Sequence, residues 1–261
     1  MFSMDKLLKV ALVQTALVWE DPRANRLELE KKLGGLASDV DLIVLPEMFT
    51  TGFTMNPQHI GKEEGPKTLD WMKTMARQKN AAITGSLVYF DNAVYTNRLF
   101  FVEPDGTTSV YDKRHTFTLA GEDKVYHAGN ERLLVRYKGF RICPLICYDL
   151  RFPVWARNTE DYDVLLYVAN WPEPRINAWD ALLKARSIEN MAYCIGVNRI
   201  GADDSGHQYP GHSVVLDGLG QEMVFSTTEE VVTVTLSKKH IKEVRDKLKF
   251  LNDRDSFILE E

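Results

Sequence analysis

The chain has 261 residues, of which 44% are apolar and 26% charged, with a formal net charge of −5. That composition suits a folded protein with a large core. It offers no basic field, so neither nucleic acid nor an anionic membrane surface is expected as a partner. Three cysteines are too few, and odd in number, for a disulfide framework, which points to a reducing compartment.

There is no repeat, low-complexity tract or Gly/Pro/Ser linker, so one domain over 1–261 is the simplest reading. The first apolar run, Leu7 to Val13, is short and is followed by Gln14, where a signal peptide would want small residues. No stretch of about 18 apolar residues exists to span a bilayer. A cytoplasmic enzyme is the expectation.

Lys9 to Gln14 reads as a buried strand. Asp21-Pro22 then opens a helix, because Asp is a good N-cap and Pro suits the first helical position. Leu27, Leu29, Leu33 and Leu36 give that helix an apolar face. Asp41 to Leu45 is a second buried strand, stopping at Pro46-Glu47, and Lys67 to Lys79 has a helical pattern. Ala81 to Phe90 and Val94 to Val102 form a hairpin around Asp91-Asn92. Pro104-Asp105-Gly106 turns the chain into Val110-Tyr111, with Asp112-Lys113 beyond. Leu133 to Tyr137 and Arg141 to Ile146 flank a Lys138-Gly139 turn. Val164 to Ala169 is a strand, and Ala178 to Ala192 a helix. Tyr193 to Asn198, Ser213 to Leu216 and Val231 to Leu236 complete the strands, and Ser237 caps a helix reaching about Phe250. Apolar runs that are buried on both faces need helices on either side, which gives a layered α/β architecture.

Three chemically distinctive residues stand where buried strands stop: Glu47, Lys113 and Cys147. Singly, each has an ordinary reading, as a turn carboxylate, a solvated lysine and a small core residue. Together they form a working set, because strand ends are where layered α/β folds build their sites. A thiol with a pKa near 8.5 is mostly protonated at neutral pH. A carboxylate beside it can take its proton as sulfur attacks a carbonyl carbon, and an ammonium with a backbone N–H can hold the resulting oxyanion. Cys143 lies about 13 Å up the same strand, beyond disulfide reach, and Cys194 sits in a core pattern. The histidines, at 59, 115, 127, 207, 212 and 240, contain no ligand-spaced pair of the zinc type, so neither a metal nor another cofactor is implied.

The motifs Leu45-Pro46-Glu47, Tyr111-Asp112-Lys113 and Ile146-Cys147-Tyr148-Asp149-Leu150-Arg151-Phe152-Pro153, in that order, resemble those of the nitrilase superfamily of carbon–nitrogen hydrolases. The resemblance covers essentially the whole chain. It implies a four-layer α-β-β-α sandwich, a homodimer across a helical face, and Glu47, Lys113 and Cys147 as the catalytic triad. It also implies that Glu122, after Gly121, positions the lysine or the substrate amide nitrogen. The Tyr148 N–H serves as an oxyanion donor on this reading. The C-terminal tail, from about 248 to 261, is expected to dock on a partner subunit.

Within the superfamily, Glu47-Met48-Phe49-Thr50-Thr51-Gly52-Phe53, Val168-Ala169-Asn170-Trp171-Pro172 and Tyr209-Pro210-Gly211-His212-Ser213 resemble the omega-amidase branch. Those enzymes release ammonia from 2-oxoglutaramate and 2-oxosuccinamate through a cysteine thioester. Such a substrate needs a cation for its carboxylate, with Arg175, His115 and His212 as candidates. Arg151 is expected behind the nucleophile, paired with Asp149 or Glu189. Trp171 and Phe117 are either pocket walls or core. An N-carbamoyl amine or amino-acid hydrolase, or another aliphatic amidase, would share every catalytic residue. A binding protein that has lost activity is a further alternative.

Overall fold

The computed structural model describes residues 5–259. In chain order its first half contains β1 (Leu7–Gln14), α1 (Pro22–Gly34), β2 (Leu42–Val44), α2 (Pro57–Ile60), α3 (Glu64–Lys79), β3 (Ala82–Asp91), β4 (Val94–Val102) and β5 (Thr108–Asp112). Next come β6 (Val135–Tyr137), β7 (Phe140–Ile146), α4 (Pro153–Ala156), β8 (Val164–Ala169), α5 (Ile176–Asn190) and β9 (Tyr193–Asn198). The last elements are β10 (Ile200–Ala202), β11 (Gln208–Pro210), β12 (Ser213–Leu216), β13 (Glu222–Ser226), β14 (Glu230–Ser237) and α6 (Lys238–Leu248).

Two six-stranded sheets form, in the orders β14-β1-β2-β3-β4-β5 and β13-β12-β9-β8-β7-β6. The runs β1-β2-β3 and β7-β8-β9 are parallel. Strand alternation sorts the side chains between two cores. Leu8, Val10 and Leu12 of β1 meet residues of the second sheet, whereas Ala11 and Val13 meet Leu29 and Leu33 of α1 and Met72 and Met75 of α3. Trp179 and Leu183 of α5 cover the far side of the second sheet. The order of layers is therefore helix, sheet, sheet, helix, a four-layer α-β-β-α sandwich.

Most elements lie where their local chemistry places them. Asp21 caps α1, accepting the Ala24 N–H at 2.9 Å, and Ser237 caps α6, accepting that of His240 at 3.0 Å. The β3–β4 turn uses Asn92 and Ala93 at φ +47° and +66°, as a two-residue hairpin requires. Some details differ. Leu27 is 48% exposed, and its place on the buried face of α1 is taken by Asn25. The Asn25 amide bonds Val18 and Thr50 of adjoining loops, so a polar residue there ties three segments together. The β10–β11 hairpin and the β13 edge strand are too short, or too polar, to have a readable alternation.

The described part of the tail lies on its own chain. Arg254 donates to the Asn158 carbonyl at 3.0 Å and pairs with Asp161 at 2.7 Å. Phe257 and Leu259 line a surface groove with Trp155 and Thr159. Residues 260 and 261 of the expected docking tail lie outside the described residues.

Candidate active site

Three strand ends converge from two different sheets. Glu47 follows β2, Lys113 follows β5 and Cys147 follows β7. Glu47 and Lys113 are almost fully buried, at 0% and 1% exposure. Charged groups buried this deeply need partners. Lys113 Nζ donates to Glu47 Oε1 at 2.9 Å and to Glu122 Oε1 and Oε2 at 3.0 and 2.9 Å. Burial works against that ammonium. The Glu122 and Glu47 carboxylates more than offset it, and they hold Lys113 well above the usual lysine range.

Glu122 reaches this network through a sharp reversal. Gly121 stands at φ +76° between two single 3-10 turns, a conformation that glycine adopts without steric cost. The Glu122 carboxyl also accepts the Phe117 N–H at 2.5 Å and the Asn97 amide at 3.2 Å. Burial raises its pKa, Lys113 opposes the rise, and Glu47 adds to it.

Two asparagines also donate to the Glu47 carboxylate, leaving an acceptor site on Oε2. Asn97 Nδ2 donates to Oε1 at 2.8 Å and the Asn170 N–H to Oε2 at 2.9 Å. Asn170 Nδ2 holds the Glu47 carbonyl at 2.6 Å. Neither asparagine was assigned a role from sequence. Asn170 follows β8 and so stands at a strand end like the other three. Asn97 lies inside β4, where only a buried polar residue in an apolar strand marks it.

Cys147 leaves β7 in the left-handed region, at φ +43°, and opens a 3-10 turn over Cys147–Arg151. This is the expected strand, sharp turn and helix start. The first N–H groups of such a turn have no acceptor within it, which leaves that of Tyr148 available near the sulfur. Burial and then the charge of Glu47 push the Cys147 thiol well up, against the pull of Lys113. Both effects favour the protonated thiol over the thiolate.

A cavity of about 450 Å³ opens onto this cluster, lined by Lys113, Cys147, Tyr148 and Asn170 and walled by Phe53, Phe117, Trp171 and Tyr209. That is an ordinary size for a small-molecule site. Phe117 and Trp171 are therefore walls. Among the described residues no group of three or more His, Cys, Asp and Glu side chains could hold a metal ion.

The cations sort differently from the sequence reading. Arg175 lines the cavity, with its guanidinium 5.1 Å from the centre of the Phe117 ring. His115 and His212 do not line it. His115 Nδ1 is bound 2.7 Å from Asp149, and His212 Nδ1 3.0 Å from Asp180. Arg151, expected behind the nucleophile, also lines the cavity, 5.1 Å over the Trp171 ring. In a 3-10 turn, residues three apart eclipse one another, so Arg151 follows Tyr148 onto the cavity face. Its expected partners are engaged elsewhere. Asp149 is bound by Tyr111, Ile146 and His115, and Glu189 by Arg186.

Comparison with known proteins agrees with this geometry. A family model described as carbon-nitrogen hydrolase matches residues 9–246. Omega-amidase YafV of Yersinia enterocolitica is 44% identical over 97% of this chain and 98% of its own. The 2-oxoglutaramate amidase of Bacillus subtilis is 30% identical over 94% of this chain and 96% of its own. A solved CN-hydrolase superfamily protein from Xanthomonas campestris, with an arsenic adduct in its active site, superposes with a TM-score of 0.94. It is 43% identical, covering 99% of this chain and 100% of that one. The chain belongs to the carbon–nitrogen hydrolase family.

Proposed function

We propose that this protein is an omega-amidase, releasing ammonia from the terminal amide of small 2-oxo acids such as 2-oxoglutaramate and 2-oxosuccinamate. The observation that carries the substrate class is a pair of guanidinium groups, Arg151 and Arg175. Both line the cavity that holds Cys147. Neither side chain makes an ion pair or hydrogen bond among the described residues, whereas Arg26, Arg98, Arg132 and Arg186 are all paired. Half-buried cations without partners favour an anion. The carboxylate of a 2-oxo acid supplies one at the far end of a short chain, with the amide carbon at the sulfur. The names borne by the relatives support the same substrate class.

The chemistry follows from the buried network. Cys147 Sγ attacks the amide carbon while Glu47 takes the thiol proton. The carbonyl oxygen becomes an oxyanion, held by Lys113 and the Tyr148 N–H. The carbon–nitrogen bond breaks, Glu47 returns its proton to nitrogen, and ammonia leaves a thioester on Cys147. Water then gives a proton to Glu47 and its oxygen to the acyl carbon. The second tetrahedral intermediate expels sulfur, which recovers that proton. Glu122, bridged to the same ammonium, holds Lys113 in place.

The test is ammonia release by the purified protein from 2-oxoglutaramate, an N-carbamoyl amino acid and a simple aliphatic nitrile. Turnover of 2-oxoglutaramate well above the other two is expected. Turnover of the carbamoyl compound alone would replace the omega-amidase reading with that of a carbamoyl hydrolase.

A further inference from the structure

Behind Cys147, on the side away from the cavity, one buried carboxylate gathers four donors. Asp149 is fully buried. Its Oδ2 accepts the Tyr111 hydroxyl at 2.7 Å and the Ile146 N–H at 3.0 Å. Its Oδ1 accepts the His115 N–H at 3.0 Å and lies 2.7 Å from His115 Nδ1. The reaction steps above use none of these groups.

Their places in the chain are informative. Tyr111 and His115 lie two residues before and two after Lys113, while Ile146 immediately precedes Cys147. Lys113 is delivered by β5, an edge of the first sheet, and Cys147 by β7 of the second. Asp149 therefore joins the two sheets at the level of the site. The Tyr111 hydroxyl is itself fixed, accepting Trp155 Nε1 at 3.0 Å and the Arg114 N–H at 3.2 Å. The His115 ring is stacked 3.7 Å from that of Phe152. The turn so held contains Cys147 at φ +43°, a backbone state that a residue other than glycine keeps only when its surroundings over-determine it.

We propose that Asp149 is a positioning residue: its carboxylate clamps the lysine arm to the cysteine turn and so sets the separation of the Lys113 ammonium from the Cys147 thiol. The inference rests on the reading that these two groups act together. A carboxylate is the group required, because it accepts at every site. An asparagine would turn an NH₂ toward groups that are themselves donors.

The experiment compares Asp149→Asn and Tyr111→Phe with Ile142→Val, a core change in β7 that touches none of these groups. Two quantities are read: kcat and KM on 2-oxoglutaramate, and the pH profile of Cys147 alkylation by iodoacetamide. A misplacement of this kind is expected to lower kcat about 100-fold in Asp149→Asn and about 10-fold in Tyr111→Phe, with KM within about twofold. The alkylation profile should move to higher pH in both, as the ammonium loses its hold on the thiolate. Ile142→Val should lower Tm while leaving kcat and the profile in place. Should Asp149→Asn not fold, Tyr111→Phe carries the test alone. Wild-type kcat and profile in folded Tyr111→Phe would overturn the proposal, as would a loss confined to KM. Alkylation needs no substrate, so a wrong substrate assignment would leave this result readable.

Discussion

The floor and the wall of the cavity are built on opposite terms. At and beneath a floor of Lys113, Cys147 and Asn170, the buried Glu47 and Glu122 carboxylates are bridged by Lys113, and Asn97 and Asn170 also donate to Glu47. On the wall, Arg151 and Arg175 are half-buried, lie over aromatic faces and lack an anionic partner among the described residues. A buried charge must be satisfied before substrate arrives, so the floor is preorganised for charge that develops during reaction. A guanidinium at the edge of water tolerates waiting, since its planar face rests on a ring while its N–H groups stay hydrated. On the proposed mechanism chemistry and selectivity belong to different regions of one pocket, and substitutions should separate them.

The largest effects are expected on the floor. Cys147→Ala removes the proposed nucleophile, and ammonia release should fall by about 1,000-fold or more while the protein stays folded. Glu47→Gln preserves shape but removes the proton acceptor, and kcat should drop by a factor on the order of 100 to 10,000. An unchanged kcat in Glu47→Gln would dissolve the distinction between floor and wall, because the buried carboxylate would then be structural only.

Smaller effects of a different kind are expected on the wall. A hydrogen bond to a charged group contributes roughly 1.5–3 kcal/mol, which corresponds to a factor of about 10 to 150 in binding. Arg175→Gln and Arg151→Gln should each raise KM for 2-oxoglutaramate within that range while changing kcat little. Hydrolysis of a neutral amide such as propionamide should respond to neither. Steady-state kinetics on both substrates decide the matter. Equal losses on the charged and the neutral amide would mean that the two arginines shape the cavity and do not read an anion.

Most of the buried cluster was legible in the sequence and the wall only in part, for physical reasons. Cys147 ends a strand whose apolar pattern can be read residue by residue, as does Glu47 after Leu45-Pro46, whereas the strand before Lys113 is a mostly half-exposed edge strand in which Tyr111 is buried. Strands buried on both faces imply helices on either side, while the count of four layers was implied by the family resemblance and not by periodicity. Arg151 was misplaced because its direction depends on whether the turn after Cys147 is α or 3-10, and propensity does not resolve so short a segment. His115 and His212 offered the right chemistry, but tertiary contacts with Asp149 and Asp180 engage them. Asn97 lies in the middle of a strand, where only the assembled floor gives it a purpose.

The smallest expected effect concerns two cysteines on one strand and its turn. Burial pushes the Cys143 thiol up to about 12, and Cys147 is shifted in the same direction by burial and Glu47. A thiol raised above its unfolded value of about 8.5 binds its proton more tightly in the folded state. Its contribution to stability is complete below about pH 8.5 and is lost as the pH climbs toward the folded value. Urea midpoints should therefore be level from pH 7 to 8.5 and fall above that, and Cys143→Val should flatten part of the decline, by at most about 1.4 kcal/mol per pH unit. For Cys147 the direct measurement is thiolate absorbance, wild type minus Cys147→Ala. No thiolate is expected at pH 7, with absorbance appearing only on the alkaline side. Thiolate at pH 7 would mean that Lys113 outweighs burial and Glu47 at the sulfur, and the first proton transfer would then precede substrate binding and not accompany the attack.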